Sequence, residues 1–184
     1  SLADLIDQLL QLAKLDATRQ EPQLADVDVT ALARQCLAPF DGGSRAGKLR
    51  LEAPAAVLAH VDAQHLRRIL HNLLANAVRQ LEQGATEVVL KVSAEAAVVI
   101  AVENDGPRIP EARRELIFER FASFAAAGGV AAGLGLPLAR ELAELNGGKL
   151  GLKPHAARTV FQVTLPRSSA VAASPTAPTT SPTT

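Results

Sequence analysis

The sequence predicts an α+β fold, a two-layer α/β sandwich preceded by an amphipathic helix. Two β-branched-rich runs, 87–93 and 97–103, are separated by a short polar link and read as a hairpin. Helical stretches bunch around these runs and do not alternate with them one for one, so helices packed on paired antiparallel strands fit better than a βαβ parallel sheet. Leu2, Leu5, Ile6, Leu9, Leu12 and Ala13 form a helical stripe opposite Asp4, Asp7, Gln8, Gln11 and Lys14 at the very start.

The elements follow in order. The stripe over 1–18 needs a partner, because so short a helix is marginal alone. It either docks on its own core or dimerises in coiled-coil fashion. Glu21-Pro22 ends it within a linker over 19–24. A globular domain over 25–166 follows. Within it, 29–39 reads as a short helix ending before Pro39, and Gly42, Gly43 and Gly47 mark a loop. Residues 49–52 and 57–59 read as short strands. A long helix spans 62–83, with Asp62 as N-cap and Gly84 after its end. After the hairpin, 109–118 reads as a second helical stretch beyond Pro110. The Ala- and Gly-rich 122–132 reads as a mobile loop. A third helix over 133–146 closes at Gly147-Gly148, and strands over 149–152 and 159–165 finish the domain. From 167 to 184 only Ser, Pro, Thr, Ala, one Arg and one Val occur, which predicts a disordered tail.

Composition narrows the function classes. The 184 residues are 48% hydrophobic, enough for a real core. Nineteen basic and nineteen acidic residues cancel, which argues against bulk binding to nucleic acid or to an anionic membrane. A single cysteine, Cys36, excludes an internal disulfide framework and reads as a small buried hydrophobe. No apolar run approaches a membrane span, so no direct membrane contact is expected of these residues. Methionine is absent, and Ser1 is expected to lie inside a longer protein.

Three segments carry chemistry. On the long helix, Asn72, Asn76 and Arg79 fall within roughly 60° of one another beside the apolar stripe. Amide oxygens are hard neutral ligands suited to Mg²⁺, and an arginine one turn on can meet phosphate. A solvated face with chance asparagines is the alternative. Next, Asn104-Asp105-Gly106-Pro107 leaves an apolar strand through a sharp turn. A polar side chain at the strand end followed by glycine lets a flat ring approach the backbone, although Asp-Gly-Pro also makes ordinary turns. Last, Gly133-Leu134-Gly135-Leu136-Pro137 opens a helix, and exposed N–H groups at a helix start favour phosphate.

In this order the segments resemble the catalytic, ATP-binding domain of bacterial two-component sensor histidine kinases, within the larger family of gyrase B, Hsp90 and MutL ATPases. Asn72 to Ala77 looks like the N box and Asn104 to Pro110 like the first glycine box. Ile117 to Phe121 looks like the F box and Gly133 to Leu136 like the second glycine box. Asn146-Gly147-Gly148 and the closing strand to Pro166 also fit. The resemblance covers 25–166 and implies a Bergerat-type ATP-binding fold. Residues 1–18 resemble the second helix of the family's dimerisation hairpin.

The resemblance implies roles. ATP and Mg²⁺ would be the bound species. Asn76 would hold Mg²⁺ against the phosphates with help from Asn72, and Arg79 would contact phosphate. Asn104 stands where the family's aspartate receives the adenine amino group. Gly106 and Ile109 would line the adenine pocket, with Phe118 nearby. Gly133, Leu134, Gly135 and Leu136 would cradle the phosphates under a lid over 119–132. Related ATPases carry a water-activating glutamate where Asn72 stands, and an amide cannot serve as that base. Transfer of the γ-phosphoryl group to a histidine is therefore favoured over hydrolysis. A response regulator would be the downstream partner and a homodimer the assembly. The setting would be cytoplasmic, with the parent anchored in the inner membrane.

Arg108 replaces the second glycine of the first box and would reshape or shield the pocket mouth. Ala131 and Ala132 replace the leading residues of the second glycine box, and Gln80 replaces an aromatic flanking the nucleotide. None of His60, His65, His71 and His155 sits in the family's acceptor context. The alternatives are a related protein-serine kinase of the anti-sigma-factor type, a hydrolysing ATPase, or a degenerate nucleotide-responsive module.

Overall fold

The structure, a computed structural model, describes residues 21–119 and 134–169. The expected N-terminal helix, the Ala- and Gly-rich loop, Gly133, and the tail from 170 lie outside the described residues.

Seven strands and three α-helices make up the described part. They run β1 (Ala25–Asp28), α1 (Val29–Leu37), β2 (Leu49–Glu52), β3 (Leu58–Val61), α2 (Ala63–Leu81), β4 (Val88–Ala94), β5 (Val98–Asn104), α3 (Gly135–Leu145), β6 (Lys149–Lys153) and β7 (Thr159–Leu165). Five strands form one sheet in the order β2-β4-β5-β7-β6, and β1 pairs with β3. All neighbours in the large sheet are antiparallel except β2 and β4. The expected hairpin is β4–β5, paired from Val88↔Asn104 to Ala94↔Val98. The parallel β2–β4 pair departs from the sequence expectation. It arises because β3 and α2 intervene between the two strands and carry the chain back to the same edge.

Strand alternation explains the two layers. Leu90, Val102 and Phe161 lie in register, as do Val92, Ile100 and Val163, and all six are buried in one core. The opposite face carries Lys91, Glu103 and Gln162. There Lys91 pairs with Glu103 at 3.0 Å and with Glu52 at 3.7 Å. The helices cover only the apolar face. On α2, Leu66, Ile69, Leu70, Leu73 and Leu74 are fully buried. At about 1.5–3 kcal/mol per side chain, that stripe contributes on the order of 10 kcal/mol gross to seating the helix.

Capping fixes where the helices begin. Asp28 accepts from Ala31 N at 3.1 Å, and Asp62 accepts from Gln64 N at 2.8 Å and His65 N at 3.1 Å. Helix α2 ends at Leu81, followed by Gly84 at φ +104° and a bond from Ala85 N to Gln80 O.

Three expectations need correction. Residues 109–118 form two short 3-10 turns, Glu111–Arg113 and Leu116–Phe118, and not one helix. Residues 111–116 are all exposed, so no apolar stripe exists to hold a helix down. The strand expected over 57–59 runs Leu58–Val61 because β1, itself missed, pairs with it from Ala25↔Val61 to Asp28↔Leu58. Arg167 and Ser168, expected to open the disordered tail, instead pair with the other edge of β3. Arg167 bridges Ala59, and Ser168 N donates to Leu58 O at 3.2 Å. The unpaired groups on that edge of β3 supply the reason.

Candidate functional site

Helix α2 carries the asparagine line. Asn72 and Asn76 are half-buried beside the core stripe, and Arg79 is exposed. Arg79 Nη2 donates to Asn76 Oδ1 at 3.0 Å, which uses one lone pair of that amide oxygen and leaves the other free. Asn72 meets the start of α3: a Cβ built on Gly135 would lie 3.4 Å from Asn72 Oδ1. The structure therefore brings the asparagine line and the second glycine segment together. The N-cap residue of α3, Leu134, makes no side-chain bond to the helix start, where the first N–H groups carry the positive end of the helix dipole. Leu134 is 2% exposed and anchors the turn before that helix, and Leu136 packs on the core.

Strand β5 delivers the second part. Asn104, its last residue, is 1% exposed, and neither its Oδ1 nor its Nδ2 finds a partner among the described residues. A buried amide with both ends unpaired costs about 1–3 kcal/mol, so this position calls for a ligand that can accept and donate. Gly106 packs closely beside it. A Cβ there would stand 3.1 Å from Asn104 Nδ2 and 3.2 Å from Gln80 Cβ, which ties the turn to α2.

Asp105 holds that turn in place. Its Oδ1 accepts from Thr86 N at 2.8 Å and Glu87 N at 3.1 Å, and its Oδ2 accepts from the Thr86 hydroxyl. Burial pushes the carboxyl up, but these hydrogen bonds outweigh it and hold the group at about 2, below its ordinary 3.8. Their stabilisation is complete above about pH 4 and disappears as the pH falls towards about 2. We expect Asp105→Asn to lower the urea midpoint at pH 6, with the gap to the parent chain closing in acid. A gap that stays constant down to pH 2 would remove the carboxylate from that role.

Other expected residues take plainer places. Phe118 is buried, edge-on to Phe161 with centroids 6.1 Å apart, and the Arg140 guanidinium sits 3.9 Å from its ring centroid. It works there as a core anchor for the segment after β5. Ile109 packs against the core. Arg108 donates to Ala156 O at 3.0 Å in the β6–β7 turn. The histidines are occupied elsewhere. His60 Nδ1 lies 3.0 Å from Asp26, His71 packs on Phe40, and His155 accepts from Ala157 N and Arg158 N. His65 Nδ1 lies 3.0 Å from Asn146 Nδ2. Cys36 is buried, and burial pushes its thiol above the ordinary value.

One residue of the site region escapes sequence reasoning, and a second is noted there without a role. Thr159 is the register partner of Asn104, buried, and its hydroxyl donates to Pro107 O at 3.4 Å. A threonine opening a strand looks ordinary until the register is known. Asn146 joins the two helices of the site: its Oδ1 accepts from Asp62 N at 2.8 Å and its Nδ2 donates to Leu142 O at 2.7 Å. The Asn-Gly-Gly run was the signal for it.

Residues 61–169 match the family model described as histidine kinase-, DNA gyrase B-, and HSP90-like ATPase. The chain belongs to this ATPase family. The sensor histidine kinase TmoS of Ectopseudomonas mendocina is 34% identical over 168 residues, covering 88% of this chain and 17% of that protein. The signal transduction histidine-protein kinase AfsQ2 of Streptomyces coelicolor is 36% identical over 152 residues, covering 81% of this chain and 27% of its own length. The crystal structure of full-length ShkA in complex with AMPPNP superposes with a TM-score of 0.72 at 28% identity. It covers 90% of this chain and 36% of that one. The chain thus spans less than a third of the two curated kinases. The two-layer α+β fold is the fold of this ATPase family's histidine kinase catalytic domains. Among the described residues no helix is long and apolar enough to cross a membrane.

Proposed function

We propose that this chain is the ATP-binding catalytic domain of a sensor histidine kinase. It passes the γ-phosphoryl group of ATP to a histidine on a dimerisation helix, for relay to a response-regulator aspartate. The domain occupies 25–166, and residues 1–18 are the second helix of the dimerisation hairpin through which the parent forms a homodimer. The parent works at the cytoplasmic side of the inner membrane.

The observation that carries this reading is Asn104. Its buried amide has no partner among the described residues, and it lies at the turn where Gly106 packs against Gln80 and Ala85. Asn104 Oδ1 accepts from the adenine amino group and Nδ2 donates to a ring nitrogen. Thr159 holds the turn against that edge. The phosphates run towards Asn72 and the start of α3, where Gly133, Gly135 and the first N–H groups of the helix receive them, with Leu134 and Leu136 fixing the backbone. Arg79 neutralises phosphate charge.

Mg²⁺ fits the donor set as an ion shared with the nucleotide. No group of three His, Cys, Asp or Glu side chains able to hold a metal occurs among the described residues. The available protein ligands are the amide oxygens of Asn76 and Asn72, and Mg²⁺ commonly keeps waters and binds substrate phosphates. When bound, it supplies charge neutralisation on the triphosphate. Position 72 holds an amide with no proton-accepting strength, so water is not activated and the phosphoryl group is kept for its histidine.

Asn76→Ala is expected to weaken Mg-dependent ATP binding at least about 10-fold while unfolding stays cooperative. Calorimetry with and without Mg²⁺ reads this, and unchanged affinity would remove Asn76 from the site. Transfer is tested by mixing the chain with γ-labelled ATP and a separate hairpin bearing a histidine. Acid-labile, base-stable label on the hairpin supports the proposal. Label on serine overturns it in favour of a serine kinase.

A further inference from the structure

Among the described residues, Asn104 is the one side chain with two buried, unpartnered polar atoms. The groups around it are engaged elsewhere. The Asp105 carboxylate takes its hydrogen bonds from Thr86 and Glu87. Thr159, opposite Asn104 in register, donates its hydroxyl to Pro107 O at 3.4 Å. Val88, the register neighbour on the other side, is apolar and buried. Glu103 points to the other face of the sheet and pairs with Lys91 at 3.0 Å.

No described group therefore dictates which way the Asn104 amide faces. A half-turn about its last bond exchanges Oδ1 and Nδ2 with almost no change of shape. A carboxylate in this place would only accept hydrogen bonds. An amide offers one acceptor and one donor side by side, in either order. Adenine presents a donor, its 6-amino group, next to an acceptor, N1. A 6-oxopurine such as guanine or hypoxanthine presents the reverse, an acceptor at O6 next to a donor at N1–H.

We propose that Asn104 makes the base site two-way, so that the chain binds 6-oxopurine nucleoside triphosphates, the class to which GTP belongs, as well as ATP. This deepens the nucleotide reading above and rests on Asn104 being the base contact. With adenine, Oδ1 accepts from the 6-amino group and Nδ2 donates to N1. With a 6-oxopurine the amide turns over, Nδ2 donates to O6 and Oδ1 accepts from N1–H. Neither base then leaves a buried polar group unpaired, which is the penalty by which a hydrogen-bonding site rejects the wrong ligand. Asn104 is in this sense the specificity-determining residue.

The test is calorimetry on the full chain with Mg·ATP, Mg·ITP and Mg·GTP. ITP carries the 6-oxo group without the 2-amino group of GTP, so it reads the shared edge alone. A 6-oxopurine triphosphate is expected to bind within about 10-fold of ATP. In Asn104→Asp an acceptor faces O6 whichever way the side chain turns, and the ratio of ITP affinity to ATP affinity should fall at least about 30-fold. Because that ratio is taken within one variant, a general loss of fold or of phosphate grip cancels from it. The comparison in the parent chain does not depend on the variant. The proposal is overturned if ITP and GTP both bind more than about 10-fold more weakly than ATP, or if Asn104→Asp leaves the ratio unchanged. ATP binding without either 6-oxopurine strikes this inference and leaves the nucleotide reading standing, whereas no binding of any of the three removes both.

Discussion

Asn104→Leu is expected to raise the stability of the nucleotide-free chain and to abolish its nucleotide binding. The two effects have one cause. In the free chain the Asn104 amide is 1% exposed, and both its polar atoms are unpaired among the described residues. Leaving such a group unsatisfied costs about 1–3 kcal/mol, and an apolar side chain of similar size removes that cost. Leucine also adds apolar area beside Val88 and Thr159, its register neighbours. The melting temperature should rise by a few degrees, about what 1 kcal/mol yields in a domain of this size. With nucleotide present the balance inverts. Adenine loses an acceptor and a donor at once and must leave its own amino group unpaired, so affinity for ATP should fall at least about 100-fold. Calorimetry and thermal melts read the two effects separately. A variant that is less stable than its parent and still binds ATP normally would make Asn104 a structural residue. Asn104→Asp separates the roles further, because it keeps the acceptor and should keep binding.

Much of this was legible in the chain itself, and the reasons are specific. The stripe of Leu66, Ile69, Leu70, Leu73 and Leu74 has helical period, Asp62 and Gly84 bracket it, and α2 lies where those signals put it. The hairpin was equally plain from two β-branched runs. The asparagine line depends only on helix geometry, so it survived intact to Asn76 and Arg79. Whatever depended on pairing was hidden. Strand β1 has four residues and makes sense only against β3. The parallel β2–β4 pair depends on where the β3–α2 connection returns the chain. Thr159 becomes part of the site only through its register with Asn104. The sequence places Arg108 near Gly106 but does not show which group it meets. Its side chain reaches the β6–β7 turn, 48 residues away in sequence, and that contact is tertiary. Local period and capping are written in neighbouring residues, whereas register and side-chain reach belong to the assembled sheet.

Gly148→Ala should be the most destabilising small substitution in the described chain, at about 3 kcal/mol. A Cβ there would collide with the carbonyl oxygen of Thr164 and stand 2.9 Å from Leu165 Cδ2 and 3.2 Å from the carbonyl oxygen of Ala143. Two of these obstacles are backbone. Thr164 is fixed by its pairing with Lys149 across β6 and β7. Ala143 O accepts from Gly148 N at 2.8 Å and closes the end of α3. Relief therefore requires either the strand pair or the helix end to move. Gly147, at φ +70°, cannot absorb the shift without leaving the turn it makes. The damage should also reach the site. Asn146 lies on the same turn and accepts from Asp62 N, so a displaced turn disturbs the N-cap of the helix that carries Asn72 and Asn76. Gly151 is the control: it lies three residues further on, within β6, and a Cβ there meets nothing within 4 Å. Gly151→Ala should change stability by less than about 0.5 kcal/mol and leave ATP affinity as it was. Urea unfolding of both variants decides the matter. Equal midpoints for the two would mean that the turn after α3 has room to yield, and that the close approach of helix to strand at Gly148 does not set the geometry of the site.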